Sequence, residues 1–290
     1  TSTIGRFGAA AACAKLLGLD ALRMSYGLGV AGTQSAGLKQ VFGTMTKPFH
    51  AGKAAMDGLL AALLAEKGFT CSEDIIAGEN GFCKVLSPDC NPELIMQDFG
   101  KTYAIGNVMF KRHASCFETH PTIDAALDIR RKVRTEDIEE VLVSAVPVAL
   151  EIAGKPEPCT GLEGKFSLAY CAALALVDGE TGEDRFTDEK VLSDQVVAMR
   201  KRIKVSAKED LGLTQAEITV RTRNGDEVKS SADTLESGSN REKRKGDLIR
   251  KFRSFAERLL PGGRSDAIIE FVEGMEAQKN MAKLLALCRP

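Results

Sequence analysis

From residue 7 to about residue 68 the chain consists largely of alanine, glycine and leucine in helical order, and this limits the fold more than any other feature. Residues 9–17 and 20–31 are rich in small side chains. Met56, Leu59, Leu60, Leu63 and Leu64 follow at the i, i+3, i+4, i+7, i+8 spacing of one helix face. Asp20 stands where a helix N-cap belongs, its carboxylate able to accept a backbone N–H of the first turn. A helix that is apolar nearly all round is a buried one. The region is therefore expected to form the core of an α-helical domain. Within it, Gly27-Leu28-Gly29-Val30-Ala31-Gly32 matches the dinucleotide-binding G-x-G-x-x-G pattern letter for letter. That pattern needs a strand before it and an acidic residue about twenty positions on. Here residues 19–26 read as helix, and residues 48–55 hold no carboxylate. The glycines are read instead as places where helices approach closely.

Residues 96–240 carry mixed signals. Residues 103–110 and 141–148 read as strands from their β-branched and apolar content. Residues 218–229 read as a hairpin, because Asn224-Gly225 suits a type I′ turn. Helical runs are expected at 122–133, 166–177 and 187–202. From residue 241 the chain is helical again, with Leu248, Ile249, Phe252, Phe255, Leu259 and Leu260 in one stripe and Pro261-Gly262-Gly263 as its stop. The fold class that follows is α+β: a mostly α-helical domain with a smaller α/β domain. Its parts are residues 1–95, an α/β unit over 96–240, and C-terminal helices over 241–290.

Composition narrows the function. With 39 basic against 40 acidic residues, neither nucleic acid nor a membrane surface is expected as the partner. The apolar runs are too short and interrupted for a membrane span. The basic run at residues 241–245 is interleaved with acid and reads as a solvated face. Eight cysteines are scattered without a Cys-x-x-Cys pair, which fits a reducing compartment. Three histidines without an i, i+4 pair argue against a metal site.

The chemistry concentrates at residues 43–55, Gly-Thr-Met-Thr-Lys-Pro-Phe-His-Ala-Gly-Lys-Ala-Ala. Pro48 pushes Lys47 away from the α region, and Gly52 allows a tight turn before a helix that begins near Lys53. The N-terminus of such a helix favours anions. A P-loop is excluded by spacing, and by Ala54 where that motif needs a hydroxyl. His120 precedes Pro121, which suits a first helical turn, so the imidazole sits at or near a helix N-terminus and tends to stay neutral. Tyr170 shares a helix face with Phe166, Ala173, Leu174 and Val177.

Several separated stretches resemble the MmgE/PrpD family. They are residues 7–20, the 43–55 motif, residues 61–70 and 78–82, Ser115-Cys116-Phe117-Glu118-Thr119-His120-Pro121, and Lys165-Phe166-Ser167-Leu168-Ala169-Tyr170. The resemblance implies a cofactor-independent lyase, a dehydratase or decarboxylase of small di- and tricarboxylates such as 2-methylcitrate or cis-aconitate. It implies Lys47, His120 and Tyr170 as catalytic residues. Thr46, His50, Lys53 and Ser115 are expected to bind the substrate, with no metal and no cofactor. It further implies that the C-terminal helices return to the first domain, making the α/β unit an inserted lid. It also implies a homodimer and a cytoplasmic location with the mitochondrial matrix as the alternative. About a third of a family member would precede Thr1, including an Asp/Thr/His cluster and a further histidine. Two other readings remain open: a dicarboxylate epimerase of the same family, and a non-catalytic truncated member or partner subunit. His113 is a weaker site candidate, as family members vary there.

Overall fold

Three long helices account for the alanine-rich beginning of the chain in the computed structural model, which describes residues 1–237 and 241–289. They are α1 (Gly5–Leu16), α2 (Ala21–Thr33) and α3 (Thr46–Glu66). They belong to the first of two compact units, Thr1–Met109; the second is Phe110–Pro290. The expected division at residue 240 lies outside the described residues. Asp20 caps α2, its carboxylate accepting the Arg23 N–H at 2.8 Å.

α3 buries Ala54, Asp57, Gly58, Ala61, Ala62 and Ala65. Close approach requires these small residues: a Cβ on Gly58 would lie 2.4 Å from that of Ala9 on α1. The glycines of the G-x-G-x-x-G stretch lie inside α2 and serve the same end. A Cβ on Gly29 would meet the Cys71 sulfur at 2.7 Å, and one on Gly32 the Phe7 ring at 2.9 Å. The consequence corrects the expected core. Met56, Leu59, Leu60 and Leu63 are 40–54% exposed, and of that stripe Leu64 packs against the small cluster of Ala10, Val30, Ala31 and Ala61. Two faces of α3 compete, and the one that permits the closer backbone approach takes the inside.

α3 also starts seven residues earlier than expected. Lys47 and Gly52 are both helical, and Pro48 is its third residue. There the missing N–H of proline has no intrahelical carbonyl to bond, so the ring removes nothing from the ladder. The segment 103–110, expected as a strand, is exposed and holds a single 3₁₀ turn, Ala104–Asn107. Its apolar content supplies strand propensity without a pairing partner, and propensity alone does not make a strand.

The second unit is an α/β layer. Its elements are α4 (His120–Lys132), β1 (Ile138–Ala145), α5 (Leu168–Asp178), α6 (Asp194–Arg200), β2 (Ile203–Ala207), β3 (Gln215–Thr222) and β4 (Glu227–Asp233). Two longer helices follow, α7 (Arg241–Leu259) and α8 (Arg264–Glu273). The sheet order is β2-β1-β3-β4, with β1 parallel to β2 and antiparallel to β3. The hairpin forms where expected, Val220 facing Val228, but its turn is not type I′. Asn224 does not take a positive φ, Gly225 alone does, and the Gly225 N–H bonds the Thr222 carbonyl at 2.9 Å. The loop is one residue longer than the two-residue turn expected. The strand expected at 141–148 ends at Ala145, because Pro147 opens a short helix, Pro147–Ala153. The helix expected over 187–202 is two short ones, Asp188–Val191 and α6, and β2 follows directly.

α4 and α5 cover the sheet. Ile123, Ala126 and Ile129 of α4 meet Val141, Val143, Ile218 and Val220 of the strands in one core with most of α5. Every residue from Leu168 to Leu176 is buried. Ser167 caps α5 by accepting the Tyr170 N–H at 3.1 Å, and the helix ends at Gly179 in the left-handed conformation. Its last carbonyls, Leu176 and Val177, accept from the Arg130 guanidinium on α4. No described helix is long and apolar enough to cross a membrane.

Candidate active site

The residues singled out in sequence fall into two groups, one in each unit. Thr46, Lys47, His50 and Lys53 all stand on the first two turns of α3. Helical spacing puts Thr46, His50, Lys53 and Asp57 on one face, with Lys47 three residues before His50. Thr46 is exposed, and Lys47, His50 and Lys53 are half-buried. The Lys47 ammonium sits 5.6 Å from the centroid of the Phe42 ring, a cation–π distance. The first-turn N–H groups of α3 are already bonded, Thr46 to the Thr44 hydroxyl, Lys47 to the Thr44 carbonyl and Phe49 to the Met45 carbonyl. The ammonium groups and the positive end of the helix dipole, not open donors, are therefore what an anion would meet.

Lys53 has a second task. Its ammonium pairs with Asp57, which is 1% exposed and also accepts from the Arg6 Nε at 2.7 Å. Arg6 is buried too and donates to the carbonyls of Ser2 and Ala36. Burial alone would raise the Asp57 carboxyl, but Lys53 and Arg6 together hold it below the usual carboxylate range. This cluster ties α1 to α3. Sequence reading missed Asp57 and Arg6, although the i, i+4 pairing of Lys53 with Asp57 was there to be seen.

In the second unit His120 is the first residue of α4 and fully buried. Neither ring nitrogen has a hydrogen-bond partner among the described residues. Burial, and then the neighbouring His113 and the positive groups Lys111, Arg112 and Lys251, push its pKa down to about 2. The ring is therefore neutral at any ordinary pH. It contacts two others: Phe117, with centroids 5.2 Å apart, and His113, 5.0 Å away and edge-on at 69°. Close in sequence, the Glu118 Oε2 is also buried without a partner, and burial raises that carboxyl against the pull of Lys111.

Ser115 and Tyr170 are engaged within the unit. The Ser115 hydroxyl is buried and lies 2.7 Å from that of Thr119. Tyr170 is fully buried, and its hydroxyl donates to the Arg185 carbonyl at 2.6 Å. Burial raises its pKa, so the phenol stays protonated. Nearby, a cleft of about 840 Å³ is lined by Arg112, His113, Asp124, Thr181, Glu183 and Lys251 among others. Among the described residues, no group of three or more His, Cys, Asp or Glu side chains is placed to hold a metal ion.

The chain thus joins a helical unit, with lysines at a helix start, to an α/β unit that holds a buried neutral histidine. Residues 1–95 match the MmgE/PrpD N-terminal domain and residues 113–277 the MmgE/PrpD C-terminal domain, so the chain belongs to the MmgE/PrpD family. Among its relatives are proteins named cis-aconitate decarboxylase from Homo sapiens, 25% identical, and Mus musculus, 26% identical, each aligned over 99% of this chain. Another of that name, from Aspergillus terreus, is 23% identical over 96% of the chain. The chain spans about 62% of the length of the human relative.

Proposed function

We propose that this chain carries part of the site of a cofactor-independent lyase acting on a small di- or tricarboxylic acid. For dehydration a proton leaves a carbon beside a carboxylate and the hydroxyl of the neighbouring carbon departs as water. For decarboxylation the bond to the carboxylate breaks, carbon dioxide leaves and the carbanion left behind takes up a proton. Lys47 holds a substrate carboxylate at the start of α3 and offsets the enolate-like charge that develops, helped by Thr46 and His50. Preorganised charge of this kind often contributes more to catalysis than any other single effect. His120 exchanges the proton, Ser115 contributes to binding, and Lys53 steadies the face through Asp57. Tyr170 joins only when its hydroxyl leaves the Arg185 carbonyl.

The observation that carries the reading is the buried His120 ring with both nitrogens unpaired. A fully buried imidazole without a hydrogen bond is costly to keep, and such groups concentrate where chemistry is done. The names of the relatives favour decarboxylation of cis-aconitate over other members of the class. The second unit as a lid and a homodimeric assembly belong to the same proposal, on the strength of the family resemblance.

Incubation with cis-aconitate and other small di- and tricarboxylic acids, followed by NMR of the products, tests the proposal. The expected result is a product short of carbon dioxide or water, formed about 100-fold more slowly by Lys47→Met. Lys67→Met, an 81% exposed ammonium at the other end of α3, leaves the rate unchanged. Conversion of none of the acids, or equal conversion by Lys47→Met, overturns it.

A further inference from the structure

The His113 ring is held at both ends. Its Nδ1 lies 2.5 Å from the Thr181 hydroxyl, and its Nε2 lies 3.1 Å from the Asp124 Oδ1. All three side chains have little exposure, and Asp124 is itself held by the Arg112 guanidinium. A carboxylate can only accept, so the His113 Nε2 donates to Asp124, while the Thr181 hydroxyl holds the Nδ1 end as the other hydrogen-bond partner. A ring bonded in this way cannot flip without breaking both hydrogen bonds. Its edge-on contact with His120 therefore presents a fixed wall, beside the second ring contact that Phe117 provides.

We propose that Asp124, His113 and Thr181 form a positioning unit that sets the orientation of the His120 ring, with His113 as the residue through which they act. This rests on His120 as the proton-transfer group. The unit joins three separate stretches of chain: the segment before α4, α4 itself, and the turn after α5. His113 and Thr181 line the 840 Å³ cleft, whereas His120 does not. His113 is thus the contact between the wall of the cleft and the buried ring. A neutral imidazole donates from one nitrogen and accepts at the other, so proton transfer needs the ring turned the right way. His120 has no hydrogen bond of its own to fix this, and packing against its two neighbours must do so.

Long-range ¹H–¹⁵N spectra of the histidine-labelled chain test the proposal without substrate. The parent should show a proton fixed on His113 Nε2 and His120 as one sharp neutral tautomer. Thr181→Val removes one hydroxyl at constant volume. It frees the Nδ1 end of the ring and is expected to broaden or split the His120 signals at unchanged circular dichroism. Asp124→Asn, which removes the carboxylate that fixes the Nε2 proton, is expected to do the same and also to turn His113 into a tautomer mixture. Thr181→Ser is expected to restore the parent spectrum. Should Asp124→Asn fail to fold, the two Thr181 variants decide alone. Unchanged His120 signals in Thr181→Val, or a His113 tautomer mixture in the parent, overturn the proposal. In turnover, Thr181→Val is expected to lower kcat about 10- to 100-fold with KM unchanged. A chain that shows the coupled spectra but converts no acid refutes the lyase reading and leaves the positioning unit standing.

Discussion

α3 and α5 are both rich in alanine and leucine, and they end in opposite environments. α5 is buried from Leu168 to Leu176, closed in by the sheet, α4 and α6. α3 buries its alanines, Gly58 and Asp57 while four of its large apolar residues stay 40–54% exposed. The difference lies in what each helix has to pack against. α5 lies on a sheet, whose broad surface accommodates large side chains. α3 meets two helices whose own contact residues are alanine and glycine, and only small residues let those backbones come together. One is anchored by apolar volume, the other by close approach and a buried ion cluster.

That contrast can be broken or sharpened by mutation. The largest effect is expected from Asp57→Asn, which leaves the Arg6 guanidinium buried and uncompensated. The first unit should lose about 3–5 kcal/mol in urea denaturation. The sign with pH follows from the lowered Asp57 carboxyl. Its contribution is fully present above the ordinary value of 3.8 and is lost as pH falls through the lower folded value. Next, Leu174→Ala in α5 should cost the second unit about 2–5 kcal/mol by the same measurement. His120 gives an intermediate effect. Its folded pKa of about 2 lies below the ordinary 6.5, so the unfolded chain binds a proton that the folded one refuses. Stability of the second unit should fall by about 2 kcal/mol from pH 7 to pH 5, and His120→Asn should remove that slope. Smallest of all, Leu60→Ala on the exposed face of α3 should cost less than about 1 kcal/mol. A loss at Leu60 equal to that at Leu174 would erase the distinction.

What was legible in the sequence follows the same line. The Asp20 cap, the Asn224-Gly225 hairpin and the helix starting at His120-Pro121 are set by local chemistry, and each appears where expected. Tertiary competition decided the rest. The leucine periodicity of α3 announced a core face, yet Gly58 and its neighbouring alanines took the inside by allowing a closer approach. β2 is a strand because β1 lies beside it, and the segment 103–110, with better strand propensity, has no such neighbour. Around the candidate site, Lys47, His50 and His120 stood out by motif. Asp124 and Thr181, which hold His113, lie 11 and 68 residues from it, and no local signal joins them.

The most direct test of the account is proton exchange at the substrate carbon. The chain is incubated with cis-aconitate and related acids in deuterated water, and label beside the carboxylate is followed by NMR. Deuterium that enters with the parent chain, and enters at least about 100-fold more slowly with His120→Asn, is the expected result. Equal labelling by parent and variant would show that the buried imidazole moves no proton, and would contradict the account.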